Sequence, residues 1–490
     1  MNHPEFDLLI KNVRVVRPHG NVVFDADIAV AGECIAKVAP GIDATRAKAV
    51  YDGKGRLAFP GVVDAHMHSG IYSPLAEDAV TESKAAAMGG VTSSLNYFRT
   101  GQYYLNKGGA YRKFYPEVLK ISKGRFHVDY GYHLAPIARE HIDEIPMLID
   151  KHGVSSFKIF MFYGSHGLHG RSDSQRDFLM IGEDERYDLA HFEFIMRGIQ
   201  AARERMPDKA RQISLSLHCE TPEIMTAYTK LVEKDKSLKG LAAYSASRPQ
   251  HSEGLAVFIA SYLAHETAMP NINLLHLSSR KAVQAALMMA EVFPHIDFRR
   301  EVTIGHLMLD VTSKAAELAK VNPPIRPRDD VEYLWDALLA GELDWVVSDH
   351  ACCRQEMKVP KHYFGNIWMA KSGFGGTEYL LPALVSEGTR RGMGYNHMAR
   401  VTSWNPAQRY GLNRKGDLAE GFDADIAIVD PARTWTIRAS ESPSTQGYTP
   451  FEGLELSAHV DATFLRGHKI YENGEVLGKP RGQYLHRPTA

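Results

Sequence analysis

Between about Pro60 and Leu412 the chain alternates short apolar runs of strand type with longer amphipathic stretches eight times over, and that rhythm restricts the possible folds more than any other feature. The runs are AFPGVVDAHMH, VTSSLNYF, FHVDYGYHL, SSFKIFMF, QISLSLHCE, INLLHLSS, EVTIGHLML and LDWVVSDH. Each is followed by a loop and then by helix-compatible text such as KAVQAALMMAEVF. Parallel strands need crossovers of this kind, and eight βα units close into a TIM-type (β/α)8 barrel of the α/β class.

The ends of the chain have a different texture. DLLIKNVRVV, DIAVAGECIAKVAP and AVYDGKGRLAF near the start, and DADIAIVDP, TWTIRAS and DATFLRGHKIYENGEV near the end, read as short strands between turns. A chain of 490 residues exceeds what one core of roughly 250–300 residues accommodates, so a second unit is expected. The expected layout is residues 1–57 as the first part of a small β-sandwich, 58–414 as the barrel, and 415–490 as the rest of the sandwich and a tail. That tail, GKPRGQYLHRPTA, reads either as an arm reaching a neighbouring subunit or as a frayed terminus.

Composition removes several classes of function. The 57 Lys and Arg balance 58 Asp and Glu, so no global field draws in nucleic acid or an anionic membrane. No stretch approaches the ~18 uncharged apolar residues of a membrane span, and MNHPEFDLLI lacks the pattern of a leader. Four cysteines, Cys34, Cys219, Cys352 and Cys353, form no CxxC pair and suit a reducing compartment, so the expectation is a cytoplasmic protein.

Five of the eight runs end in a residue that binds metal or can be made to do so: His66 and His68, Lys158, His218, His276 and Asp349. Barrel active sites lie where the strands end, so separate strands deliver these residues to one point. His66 and His68 share a strand face, and Asp64 sits one step earlier on it. A pair of hydrogen-bonded strand histidines is the plainer reading of HMH, but imidazoles and carboxylates recurring at the same place on several strands suit zinc and related ions. Lys158, between apolar neighbours in SSFKIFMFYG, must be neutralised, either by an ion pair or by capture of carbon dioxide as an anionic carbamate. His350 points to the opposite face if its strand continues, and Cys352 and Cys353 read as small apolar fillers.

These residues and their surroundings identify a resemblance. PGVVDAHMH, SFKIFMFYG, LHCE, LHLSS and VVSDH, together with SRPQHSEGLAV, VNPPIRPRDD, SWNPAQRYGLNRKGDLAEGFDADIAIVDP and YTPFEGLEL, resemble the amidohydrolase superfamily, specifically its dihydropyrimidinase, hydantoinase and allantoinase group. The resemblance runs nearly end to end. It implies that His66, His68, Lys158 as its carbamate and Asp349 hold one divalent metal, and that the same carbamate with His218 and His276 holds a second. The implied ions are zinc, with manganese or cobalt as alternatives. Tyr163 is implied as the hydroxyl that steadies a developing oxyanion, and Asn322 and Ser372 as contacts to the ring amide.

The implied reaction is hydrolysis of a carbon–nitrogen bond in a cyclic amide or ureide. A metal pair brings the pKa of a shared water from 15.7 toward ~7, and Asp349 shuttles the proton to the leaving ring nitrogen. Allantoinase-like, cyclic imide and linear or N-acyl amide hydrolysis remain alternatives, as does a noncatalytic scaffold like the collapsin response mediator proteins, which lack the ligands. Dihydroorotases place an arginine two residues after the second histidine, where this chain has Gly70. Arg99, Lys107, Arg112, Lys113, His166, His169 and Arg171 read as solvated loop charge or as receivers of a polar substituent. Tyr103, Tyr104 and Phe162 are candidates for an apolar pocket wall. The resemblance also implies a homotetramer.

Overall fold

The computed structural model describes residues 4–161, 166–167, 170–171 and 174–489, the two dipeptides by backbone alone. Its centre is the expected barrel. Eight parallel strands run in chain order: Val62–His68, Val91–Phe98, Asp129–Leu134, Ser156–Phe160, Ser214–His218, Asn271–Leu274, Asp297–Thr303 and Trp345–Val347. Helices return the chain between them, among them Leu75–Met88, Arg139–His152, Gln250–Glu266 and Arg280–Val292. Most of the strands are buried on both faces, which is why they read as apolar runs rather than as alternating text.

The barrel closes through an interruption in its last strand. Trp345–Val347 pairs with Asp297–Thr303; after Ser348 and Asp349, the short strand His350–Ala351 pairs with Met67 and His68 of the first strand. Asp64 fastens the same seam by accepting hydrogen bonds from the Ser348 backbone at 3.1 Å and from the Thr377 hydroxyl at 2.8 Å.

One expectation shifts in register. The seventh strand is Asp297–Thr303, and the text IGHLM that follows is a short helix, not strand. Thr303 caps that helix by accepting from the His306 backbone N–H at 3.1 Å. The true strand is hidden in the sequence because DFRRE is so charged; Arg299 and Arg300 are tied to Asp344 at 2.9 and 3.1 Å.

Among the described residues, the chain ends build one nine-stranded sheet, joined where Ile426–Asp430 runs antiparallel to Leu57–Pro60. The sheet curls back on itself, so that Tyr51 meets Phe464 edge-on with centroids 5.2 Å apart over a core of Ile10, Val13, Ile28, Ile426 and Ile428. Lys415 ties this unit to the barrel, binding Asp425 at 2.6 Å and Asp129 of the third barrel strand at 2.9 Å.

The tail is not frayed; it docks on this chain's own barrel. Leu485 donates its backbone N–H to Tyr130 at 2.8 Å, and the buried Arg487 reaches under the barrel to the Ser156 hydroxyl at 2.9 Å and to the Tyr132 carbonyl. Arg487 thus occupies the floor, at the opposite end of the barrel from the ligand-bearing strand ends. No helix of the described residues is long and apolar enough to cross a membrane.

Candidate metal centre

All six residues singled out at the strand ends converge. His66 and His68 close the first strand, Lys158 lies in the fourth, and His218 ends the fifth. His276 and Asp349 lie just past the sixth and eighth, where the backbone turns into the left-handed region with φ of 35° and 54°. Histidine and aspartate tolerate that region better than most residues, and the turn carries both side chains inward.

The ligand atoms of His66, His68 and Asp349 lie within 4.8 Å of one another. Asp349 Oδ1 is 3.1 Å from His66 Nε2 and 3.3 Å from His68 Nε2. Lys158 Nζ stands 3.2 Å from His66 Nε2 and over the Tyr97 and Phe160 rings, at 4.0 and 4.3 Å from their centroids. His218 and His276 form a second group, with ring centroids 4.3 Å apart.

Three of the four imidazole rings are oriented from behind. His66 Nδ1 lies 2.7 Å from Glu301, His68 Nδ1 lies 2.8 Å from the Tyr104 hydroxyl, and His218 Nε2 lies 2.7 Å from Glu220. Glu220 is in turn gripped by both arms of Arg248 at 3.0 Å. A proton directed at a carboxylate leaves the other ring nitrogen with its lone pair toward the site. Sequence reasoning missed Glu301, Glu220 and Tyr104 as supports; for Glu220 the signal was its place two residues beyond His218 in LHCE.

The electrostatics favour the metal-binding forms. Burial pushes His66, His68, His218 and His276 below the usual histidine range, His218 to about 4, so all four are neutral imidazoles at pH 7. Burial also pushes Lys158 down, against the pull of Asp349 and Glu301. For Asp349 burial acts upward, but His66, His68 and Lys158 outweigh it and hold the carboxyl well below its ordinary range. Asp349 Oδ1 lies against the Nε2 atoms of both His66 and His68, so three donor atoms of metal-binding type face one another. His276 Nδ1 is buried and finds no hydrogen-bond partner among the described residues. Both observations fit a donor set built for divalent cations.

Asn322 and Ser372 also reach this cleft, which is walled by Ile71, Tyr104, Phe160, Val321 and Ala351. The Tyr244 hydroxyl contacts both residues, donating to Asn322 Oδ1 and lying 3.5 Å from Ser372 Oγ. Tyr163, with Phe162 and His169, lies outside the described residues, as do the side chains of His166 and Arg171.

The remaining candidates separate. Lys107 pairs with Glu117 at 2.7 Å, Arg112 with Glu144 at 2.9 Å, and Lys113 is exposed, so these are loop charges. Arg99 is instead buried, its guanidinium stacked over Tyr104 and Phe178 at 5.1 and 4.8 Å. Tyr104 does line the cleft, whereas Tyr103 is half-buried and accepts from Lys371 at 3.1 Å. Gly70 has φ of 83°, and a Cβ there would meet Leu75 at 3.0 Å, so no side chain extends from this point into the cleft.

His350 points away, as its alternation predicts, with Nε2 at 2.9 Å from Glu82. Cys352 and Cys353 are buried fillers. Asp78, Glu82 and Cys352 also cluster within 4.8 Å, but Glu82 spends its oxygens on His350, Ser444, Thr445 and Thr81, leaving little for an ion.

Comparison with known proteins agrees with this geometry. The sequence profile of the Amidohydrolase family matches residues 197–470. An allantoinase of Rubrobacter xylanophilus is 30% identical over 485 residues, covering 98% of this chain and 97% of its own length. The L-hydantoinase (dihydropyrimidinase) of Arthrobacter aurescens superimposes with a TM-score of 0.83 at 26% identity, covering 98% of this chain and 99% of that one. The dihydropyrimidinase of Brevibacillus agri gives 0.82 at 25% identity, with 98% of each chain covered.

Proposed function

The chain belongs to the amidohydrolase family, and from that premise we propose that it hydrolyses a carbon–nitrogen bond of a cyclic amide or ureide at the cleft above the barrel. The observation that carries the reading is the meeting of four neutral imidazoles, one carboxylate and one buried amine at the strand ends. The family generally uses a binuclear metal centre. In this reading His66, His68, Lys158 and Asp349 would hold one divalent ion and Lys158, His218 and His276 the other, with Lys158 carboxylated by carbon dioxide to supply an anionic donor. Zinc is the proposed ion, since its preferred donors are those present.

When bound, such a pair supplies Lewis acidity, lowering the pKa of water and polarising a carbonyl. The chain's own residues do the rest. Asp349 faces the cleft, and in this reading it takes the proton of the attacking water and passes it to the ring nitrogen as the bond breaks. Without that transfer an amide nitrogen leaves poorly. Asn322 and Ser372, steadied through Tyr244, fix the ring amide, and Tyr163 is assigned to the oxyanion. Ile71, Tyr104 and Phe160 keep bulk water from the reacting bond.

Within this class, dihydropyrimidinase- or hydantoinase-like ring opening is the primary assignment, supported by the apolar cleft wall. Allantoinase-like activity is the second reading, favoured by the identity to proteins of that name along nearly the whole chain. A homotetramer and a cytoplasmic location complete the proposal. Turnover of dihydrouracil, substituted hydantoins, allantoin and succinimide by protein reconstituted with zinc, manganese or cobalt tests it. Ring opening of at least one substrate that stops on chelation is expected; fully metallated protein that opens none of them refutes it.

A further inference from the structure

Glu301, in the seventh strand, is completely buried and gathers contacts from three other parts of the barrel. Its Oε1 lies 2.7 Å from His66 Nδ1 and also accepts the His276 backbone N–H at 3.1 Å, while its Oε2 accepts from Trp345 Nε1 at 2.9 Å. His66 and His276 belong to different halves of the donor set. One carboxylate oxygen therefore serves both.

We infer that Glu301 is a positioning residue that couples the two ion sites, an inference resting on the ligand assignment proposed above. On the His66 side, the Glu301 side chain holds Nδ1, so that the ring turns Nε2 to the cleft. On the His276 side, it holds the backbone N–H of a residue whose φ of 35° lies in the left-handed region, and so keeps that turn pointed inward. Glu220 provides the contrast. It touches His218 alone among the proposed ligands, and Arg248 balances its charge, so its influence stays with one ion.

The two carboxylates should therefore behave differently when replaced. Wild type, Glu301→Gln, Glu301→Asp and Glu220→Gln are loaded with zinc, dialysed against graded chelator, and assayed for zinc per chain by elemental analysis. Manganese-loaded samples are examined by electron paramagnetic resonance for the signal of a spin-coupled pair, and thermal melting verifies folding. Both Glu301 variants should release both ions at chelator levels roughly 10–100-fold lower than wild type, with the coupled signal lost. Glu220→Gln should release one ion early and retain the other. If Glu301→Gln does not fold, Glu301→Asp, which keeps the charge on a shorter arm, decides by the same readout. Folded Glu301 variants with wild-type retention, or with the one-ion loss of Glu220→Gln, overturn the coupling. A wild type that holds no ion overturns the ligand assignment and the coupling together, and its own stoichiometry tells that case apart.

Discussion

The phenol of Tyr244 donates to the side-chain oxygen of Asn322, placing a helix residue from the loop after the fifth strand behind a wall of the reaction cleft. Removing that hydroxyl leaves a buried amide oxygen without this donor, at a cost of about 1–3 kcal/mol. Tyr244→Phe should lower kcat/KM by a factor on the order of 10 to 100, mainly through KM, with bound metal unchanged. Steady-state kinetics beside metal analysis checks this; an unaltered KM shows that Asn322 does not depend on Tyr244.

Asp349→Asn preserves shape but cannot accept a proton. At saturating metal, kcat should fall by roughly 10²–10⁴ while far-ultraviolet circular dichroism stays that of wild type. Retention of more than a tenth of the wild-type kcat would move the proton shuttle to another group.

Lys158 lies against a histidine nitrogen and two aromatic faces, a setting in which a carbamate would bring charge that the cations require. Protein prepared with zinc and carbon-13 bicarbonate should show a carbamate carbon resonance that Lys158→Met lacks. The same variant should lose both ions. A wild-type spectrum without the signal rules the modification out.

Lys358 offers a pH test away from the ligands. It is buried, donates to the carbonyls of Lys320 and Gly373 at 2.8 and 2.6 Å, and is pushed by burial from 10.5 down to about 7. Between those two values the unfolded chain binds a proton there that the folded chain does not, so this group makes stability rise with pH across the window and adds no slope below it. Relative to Lys358→Met, wild type should gain stability as pH increases from about 7 toward 10.5 in urea unfolding. Parallel curves would mean that the ammonium persists inside the fold.

The docked tail should contribute to stability. Arg487→Met removes the charged donor from Ser156 and Tyr132 and should cost about 2–3 kcal/mol in urea unfolding. Gly482→Ala should loosen the same segment, because its Cβ would fall 1.9 Å from the Val128 carbonyl oxygen. Unchanged unfolding midpoints in both variants would show that the tail contributes little.

Much of the barrel was legible because most of its strands are buried on both faces and therefore rich in apolar residues, and because ligand-type residues recur at their ends. The seventh strand lies several residues earlier than its text suggests for the converse reason: Arg299 and Arg300 carry charge that is balanced by Asp297 and by Asp344, the latter distant in sequence. Glu301 followed them and passed unread, since nothing local distinguishes a buried hydrogen-bonded carboxylate from a solvated one. Tyr244 was invisible for a similar reason: its partners lie on loops far along the chain. The tail, short and polar, reads as solvent-exposed until Arg487 is seen inserted in the barrel floor.

The interrupted final strand has a consequence for how activity can be read. Asp349 stands in the gap between the segment that reaches Asp297–Thr303 and the one that reaches His68, so the ring of strands and the proposed proton shuttle are completed by the same few residues. A partly assembled barrel, however native its first seven strands, cannot turn over substrate. Regain of catalysis during refolding thus reports the joining of that seam and not merely collapse.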